Sequence, residues 1–271
     1  MFIFSTPLVA KSFKLVPTDW TGSIRVRWYL YGCPIDPILD CSYTSSEHPV
    51  PYLDVPGLDQ SKTLHCHDLS TIVIEHEKTS GDFNATWNVM REGFSEFGET
   101  YLGNEAFHYM TSSNRYKMRI DLWLPGDFQY AEFDSVVIGT EADRYALSVS
   151  GFQTGTAGAG GFELYHDGVG FSTYDNDLTA NDRTCVHDQY GAAYWHRATG
   201  TIPVLVGGTT TQLSECYSTL LTGYNHIFWR REDPGTGTMG ELEFVDKVAM
   251  RIQTDLSSGK AVRLDHVMQC S

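Results

Sequence analysis

The sequence predicts an α+β fold with a central antiparallel sheet, few short helices and a long loop-rich region. Three observations predict it. Between Thr71 and Val149, short runs alternate apolar and polar residues with the period of two that marks half-buried strands. One stretch, Asn84 to Gly93, lies within apolar residues at helical spacing. Beyond Gly151 glycine dominates, and the alternation fades until Val248.

Taken in order, the chain opens with two strand candidates, Ser12 to Val16 and Ser23 to Tyr31, around a Pro17-Thr18-Asp19 turn. In the second, Ile24, Val26, Trp28 and Leu30 alternate with mostly polar neighbours. Prolines 34, 37, 49, 51 and 56 follow; proline fixes φ and donates no backbone hydrogen bond, so Cys33 to Pro56 reads as irregular, with a domain boundary near Pro34 to Cys41. Thr71 to His76 is a β-branched strand. Phe83, Trp87, Met90 and Phe94 recur at helical spacing around Asn84 to Gly93, with Gly93 near the helix end. Tyr116, Met118, Ile120, Leu122 and Leu124 alternate strictly, Tyr130 to Ile138 and Tyr145 to Val149 follow as strands, and Val248, Met250 and Ile252 form the last.

Composition narrows the function. Of 271 residues, 34 are acidic and 19 basic, a net charge of −15 that repels phosphate backbones and anionic headgroups. Nucleic acid and membrane insertion are therefore excluded as expectations, and no run of about 18 apolar residues is present. Clustered carboxylates would suit calcium. Six widely spaced cysteines without a C-x-x-C pair point to disulfides and a secreted, oxidising setting. The sequon Asn84-Ala85-Thr86 makes Asn84 a glycosylation candidate. Met1 to Ala10 is apolar but short for a signal peptide and lacks a basic flank, so further sequence is expected upstream. Gly155 to Gly161 (GTAGAGG) lacks the Lys-Ser/Thr of a phosphate loop, and neither G-x-S-x-G nor H-E-x-x-H occurs, so an enzyme is not expected. His65-Cys66-His67 could be drawn as metal ligands, but a disulfide has the better claim on Cys66.

Several collinear runs resemble the fibrinogen-related domain shared by fibrinogen chains, ficolins, tachylectins, angiopoietins and tenascins. They are Gly81-Asp82-Phe83-Asn84-Ala85-Thr86-Trp87 leading to Glu92-Gly93-Phe94, then Tyr101-Leu102-Gly103-Asn104-Glu105, then Tyr116 to Leu122 (YKMRIDL). Ala131 to Ser135, Gly155 to Gly158 and Phe171 to Asp177 continue in the family's order. Ser12 to Cys33 is similar to the last strands of a discoidin-type domain. The resemblances imply a discoidin-like fragment at 1–33, a linker at 34–40, a fibrinogen C-terminal-like domain at 41–260 and a tail at 261–271.

The family likeness also implies a site. Its calcium loop falls on Asp175 to Cys185, with side chains from Asp177 and Thr179, carbonyls from Asn181 and Arg183, and Asp175 or Asp182 as a substitute carboxylate. Thr179 departs from the family, because a neutral hydroxyl stands where a carboxylate is expected. The family's ligand pocket falls on Tyr194, Trp195, Arg197, Ala198, Tyr224 and Asn225, with a cis bond implied at Arg197-Ala198. Ala198 and Thr199 replace the expected cysteine and histidine, which puts acetyl-group recognition in doubt. Of the disulfides, Cys41–Cys66 matches the family's first, and Cys185 matches half of the second, with Cys216 as its substitute partner. Cys33 and Cys270 are left unassigned. His187, His196 and His226 lie in the pocket region and could make binding depend on pH. The expected function is a lectin-like module for carbohydrate or acetylated surface groups, assisted by calcium. The alternative is a protein-binding adhesion or receptor-ligand module. The expected partner is a glycan or cell-surface protein, with clustering through regions upstream of Met1.

Overall fold

Strict alternation over Tyr116–Leu124 gives one strand a continuous apolar face, and the sheet is built around it. The computed structural model describes residues 40–43, 52–79, 83–96, 99–177, 185–188, 192–197, 201–206, 208–214, 219–223, 227–233 and 238–255. The chain divides into two compact units, Met1–Pro34 with Leu264–Ser271 and Ile35–Arg263; all described residues belong to the second. The discoidin-like segment 1–33, the linker up to residue 39 and the tail 261–271 lie outside the described residues. Asp40, the end of that linker, is buried and accepts from the Tyr116 hydroxyl at 2.7 Å and from Thr254, so it belongs to the packed domain.

In chain order, β1 (Tyr52–Leu53) pairs with β2 (Lys62–Thr63), and β3 (Cys66–His67) leads into β4 (Ser70–Glu77). Helix α1 (Trp87–Glu92) is followed by β5 (Phe94–Glu96), β6 (Glu99–Tyr101), helix α2 (Asn104–Ser113), β7 (Tyr116–Leu124), β8 (Asp127–Ile138) and β9 (Leu147–Thr154). A π-type turn at Phe162–His166 and helix α3 (Cys185–Asp188) precede β10 (Thr201–Val206), β11 (Thr209–Ser214), β12 (Phe228–Asp233), β13 (Thr238–Phe244) and β14 (Lys247–Thr254). The main sheet runs β5-β6-β4-β14-β7-β8-β9, with β3 beside β4 and every pairing antiparallel. The last strand thus lies between β4 and β7, which closes the domain by its final described element. Among the described residues the fold is mostly strand with three α-helices, the α+β class that the sequence predicts.

The helix expected over Asn84 to Gly93 begins later, at Trp87. Thr86 is extended (φ −70°, ψ 161°) and its hydroxyl accepts from the Val89 N–H, which fixes the N-cap there. It ends at Gly93, as expected, with φ 78°. Gly93 and Gly103 are a mutual requirement: a Cβ at Gly93 would sit 2.5 Å from the Leu102 carbonyl, and one at Gly103 would sit 2.6 Å from Glu92 carbonyl atoms. Two backbones therefore meet directly, and the start of α2 is fixed against the end of α1.

Three local expectations are corrected. Helix α2 is an addition to the predicted elements, with Ala106, Phe107 and Met110 as its buried stripe. The strand expected at Tyr145 to Val149 starts at Leu147, because Arg144 and Tyr145 take left-handed φ of 56° and 47° and form the turn before it. The region beyond Gly151 is not all loop: β10–β13 form a four-stranded sheet in the order β11-β10-β13-β12. Pro203 lies within β10 and brings no N–H, and among the described residues β10 and β13 run parallel in the register Val204↔Met239.

The Cys41–Cys66 disulfide forms as implied, joining Cα atoms 5.5 Å apart. Cys185 is also disulfide-bonded, and its partner lies outside the described residues, as do Cys33, Cys216 and Cys270.

Candidate ligand-binding site

The segment 171–177 is held from two neighbouring elements. The Trp87 N–H, at the start of α1, donates to Asp175 Oδ1 at 2.9 Å, and the Thr173 hydroxyl donates to the same oxygen at 2.7 Å. From the turn before β9, Arg144 Nη2 donates to the Asn176 carbonyl at 3.1 Å and to Asn176 Oδ1 at 2.8 Å. The Arg144 guanidinium also lies 5.4 Å from the Trp87 ring centre, and Trp87 stacks on Tyr145. Left-handed backbone in non-glycine residues is strained, and the Arg144–Tyr145 turn is retained by what it holds. The Tyr145 carbonyl accepts from Trp195 Nε1 at 2.8 Å, and its hydroxyl donates to Glu105 at 2.5 Å. Anchored in this way, Tyr174 projects outward with 53% of its surface exposed.

The second implied segment is joined to the first by reciprocal backbone bonds between Ser172 and Tyr194, at 2.9 and 3.1 Å. Sequence and fold therefore bring Asp175, Asp177 and Tyr194–Arg197 together. Their surroundings differ from what the resemblance implies. Tyr194 and Trp195 are 1% and 0% exposed, with their rings edge-on to one another and packed against His166 and Phe171. The Tyr194 hydroxyl is buried with no hydrogen-bond partner among the described residues, and burial raises its pKa well above the usual phenol range. Arg197 is half-buried and donates from Nη1 to the Leu164 carbonyl. Ala198, Tyr224 and Asn225 lie outside the described residues, as does the Arg197-Ala198 bond.

Calcium takes six to eight oxygens. Asp175 already serves as an acceptor for the first turn of α1, and Asp177 stands near enough to His196 to favour its charged form. Thr179, Asn181, Asp182 and Arg183 lie outside the described residues. Among the described residues no group of three or more acidic, cysteine or histidine side chains is placed to hold a metal. The two described carboxylates therefore do not by themselves make a calcium shell.

Burial holds His166 and His196 neutral near pH 7. Burial lowers His166 to about 4, against the stabilising hydrogen bond from its Nδ1 to the Trp195 carbonyl. Burial likewise lowers His196 to about 4, while its Nε2 donates to the Ala192 carbonyl at 2.8 Å. Held at about 4, His196 takes up its proton below the ordinary histidine range, which speaks against it as a switch between pH 7 and 5. The side chain of His187 and all of His226 lie outside the described residues.

Asn84 is exposed, which leaves the sequon accessible from solvent. Sequence reasoning misses Tyr174 within Phe171 to Asp177. The signal that could find it is an aromatic residue flanked by Thr173 and Asp175 with no periodic apolar partner, in a segment without regular structure.

The family model for the C-terminal globular domain of fibrinogen beta and gamma chains matches residues 68–234, more than half of the chain. Fibrinogen-like protein A of Apostichopus parvimensis is 36% identical over 121 residues, which are 43% of this chain and 42% of that protein. Tenascin of Mus musculus is 34% identical over 117 residues, 43% of this chain and 5% of its own length. The chain thus spans less than half the length of these relatives. Among solved structures, the fibrinogen-like globe domain of human ANGPTL6 superposes with a TM-score of 0.60 at 21% identity, covering 82% of this chain and 97% of that one. A lamprey fibrin D-dimer, solved with the peptide ligand Gly-His-Arg-Pro-amide, gives 0.58 at 20% identity, covering 79% and 72%. No helix among the described residues is long and apolar enough to cross a membrane.

Proposed function

This protein belongs to the family defined by the C-terminal globular domain of the fibrinogen beta and gamma chains, and from that premise we propose that it is an extracellular, non-enzymatic module that recognises a protein segment. The single observation that carries the protein-binding reading is the burial of Tyr194 and Trp195. Stacking on a sugar ring needs an exposed aromatic face, and these two rings are spent on the core. The exposed aromatic nearby is Tyr174, on a loop fixed by Trp87 and Arg144. An anchored tyrosine beside Asp177 suits a peptide that brings an apolar side chain and a basic group. The lamprey fibrin structure, with its peptide ligand, supports this reading by fold likeness alone.

The lectin-like reading, for carbohydrate or acetylated groups with calcium completing the Asp177 loop, remains as the second proposal. What favours it is the partial exposure of Asp177 beside Tyr174. Residues 1–33 are proposed as the end of a discoidin-type domain on the motif in Ser12 to Cys33 alone.

One experiment separates the two. Short peptides selected from a random display library against the full protein should bind it at micromolar affinity, and Tyr174→Ala should weaken them at least about tenfold, the loss of one aromatic anchor. A glycan array read with and without EDTA should stay silent in both conditions. A glycan signal abolished by EDTA would overturn the peptide reading in favour of the calcium-assisted lectin.

A further inference from the structure

A concavity lies at the edge of the main sheet, on elements other than the 171–177 loop. It has a volume of about 240 Å³ and lies between β2, β4, β5 and β6, where β5 is the outermost strand. Its floor is apolar, with buried Ile72 and Leu102, and Phe94 forms a wall. Its polar side chains include an ammonium, hydroxyls and an imidazole. Lys62 extends along it, Ser95 and Thr100 place hydroxyls 3.2 Å apart in it, and the exposed His65 stands at the rim. Among the residues lining it there is no carboxylate.

Lys62 is the key group. Its ammonium donates to the Gly93 carbonyl at a long 3.5 Å and makes no ion pair among the described residues. Partial burial holds its pKa below the ordinary lysine range, and the nearby Glu92 opposes this without reaching ion-pair distance. A partly desolvated cation with one weak acceptor is an incomplete arrangement, because part of its water has been removed and no ion-pair partner among the described residues has replaced it. In a protein of net charge −15, a concave surface offering an ammonium, hydroxyls and an imidazole with no acid among them is locally inverted. The Ser95–Thr100 pair uses one hydroxyl proton between them and leaves the other to donate outward.

We propose that this cleft binds a carboxylate carried on a small apolar body, the carboxylate meeting Lys62 and the hydroxyls of Ser95 and Thr100, and the body resting on Ile72 and Phe94. The volume limits the occupant to fragment size. That chemistry has two sources, a free small carboxylic acid or the last residue of a peptide. The site is independent of the loop at Asp175–Asp177 and needs no metal.

The test is a titration of the full protein, isotopically labelled for amide NMR, with phenylacetate, with phenylacetamide, and with a tetrapeptide ending in leucine as free acid or amide. Phenylacetate should move the amides of residues 93–95 and 100–102 saturably, with a dissociation constant of about 0.1–1 mM, as befits a fragment. Phenylacetamide should bind at least about tenfold more weakly, the worth of one charge-assisted contact. Lys62→Gln should lose binding by about the same factor while Lys62→Arg keeps most of it, and unchanged melting temperatures show that both fold. A free-acid peptide tighter than phenylacetate assigns the source to a peptide terminus; the reverse order assigns it to a free acid. Equal binding of acid and amide, or full binding by a folded Lys62→Gln, overturns the proposal.

Discussion

The main sheet and the irregular segments within 155–197 and 219–223 satisfy their backbones by different means. In the sheet, neighbouring strands do it: β14 pairs with β4 on one side and β7 on the other along almost its whole length. In the irregular segments, side chains buried in the core take over. Trp195 Nε1 donates to the Tyr145 carbonyl, Trp229 Nε1 to Ala157 at 2.9 Å, and His166 and His196 to Trp195 and Ala192. The hydroxyls of Thr219 and Thr222 serve Gly160 and Ala193 at 2.8 and 2.9 Å. A buried carbonyl must have a donor, and an aromatic or histidine supplies one while filling volume. A ladder spreads its stability over many equal bonds. A set of side-chain donors concentrates it in a few residues. One such donor, His76, stitches the two regions: its Nδ1 meets Glu99 at 2.5 Å within the sheet, and its Nε2 donates to the Gly223 carbonyl at 3.2 Å.

That contrast can be broken or sharpened by measurement. The largest effect is expected at Trp195→Ala, which leaves both a cavity and an orphaned Tyr145 carbonyl and should cost about 5 kcal/mol in urea unfolding. Ile120→Val in the ladder should cost about 1 kcal/mol; comparable losses at the two sites would remove the distinction. His76→Ala should cost about 4 kcal/mol, because Glu99 is left as an uncompensated buried charge. Adding Glu99→Gln to that variant should recover part of the loss, and no recovery would show that the pair acts only through packing.

A smaller effect concerns pH. His166 and His196 bind protons more weakly when folded, at about 4, than at the ordinary histidine value of 6.5 in the unfolded state. The unfolded state therefore takes up more protons as pH falls, and stability is lost between about 6.5 and 4, on the order of 3 kcal/mol for each histidine at the low end. His196→Gln, which keeps a donor for Ala192 and cannot titrate, should show a shallower fall in melting temperature over that window. An identical slope would mean that His196 is already charged in the fold.

The same contrast explains what is legible in the sequence. The strands at Thr71 to His76, Tyr116 to Leu124, Tyr130 to Ile138 and Val248 to Ile252 announce themselves because one face is buried against a regular neighbour, and alternation follows from that geometry. The glycines of Glu92-Gly93-Phe94 and Leu102-Gly103-Asn104 are visible as parts of motifs; their reason, backbone meeting backbone, is not. Strands β10–β13 carry no clean alternation, since Thr209 to Gln212 are exposed and Arg230 is buried where it donates to the Gly240 carbonyl. The candidate site is legible as a position along the sequence. Burial is not legible there, so Tyr194 and Trp195 read as ligand faces while Tyr174 does not stand out.

The sequence by itself determined the strand-rich α+β class, the family and the order of the sheet-forming segments; the Cys41–Cys66 pairing was implied by the family resemblance. These depend on local periodicity and on motifs a few residues long. Only the tertiary structure decided which aromatics are core and which are surface, that Asp175 caps a helix, and that Lys62 lines a cleft without a carboxylate. Those properties depend on residues far apart in the sequence: Trp87 with Asp175, Trp195 with Tyr145, Lys62 with Thr100. No window of sequence contains both members of such a pair, and whether a side chain is solvated or desolvated is fixed only when they meet.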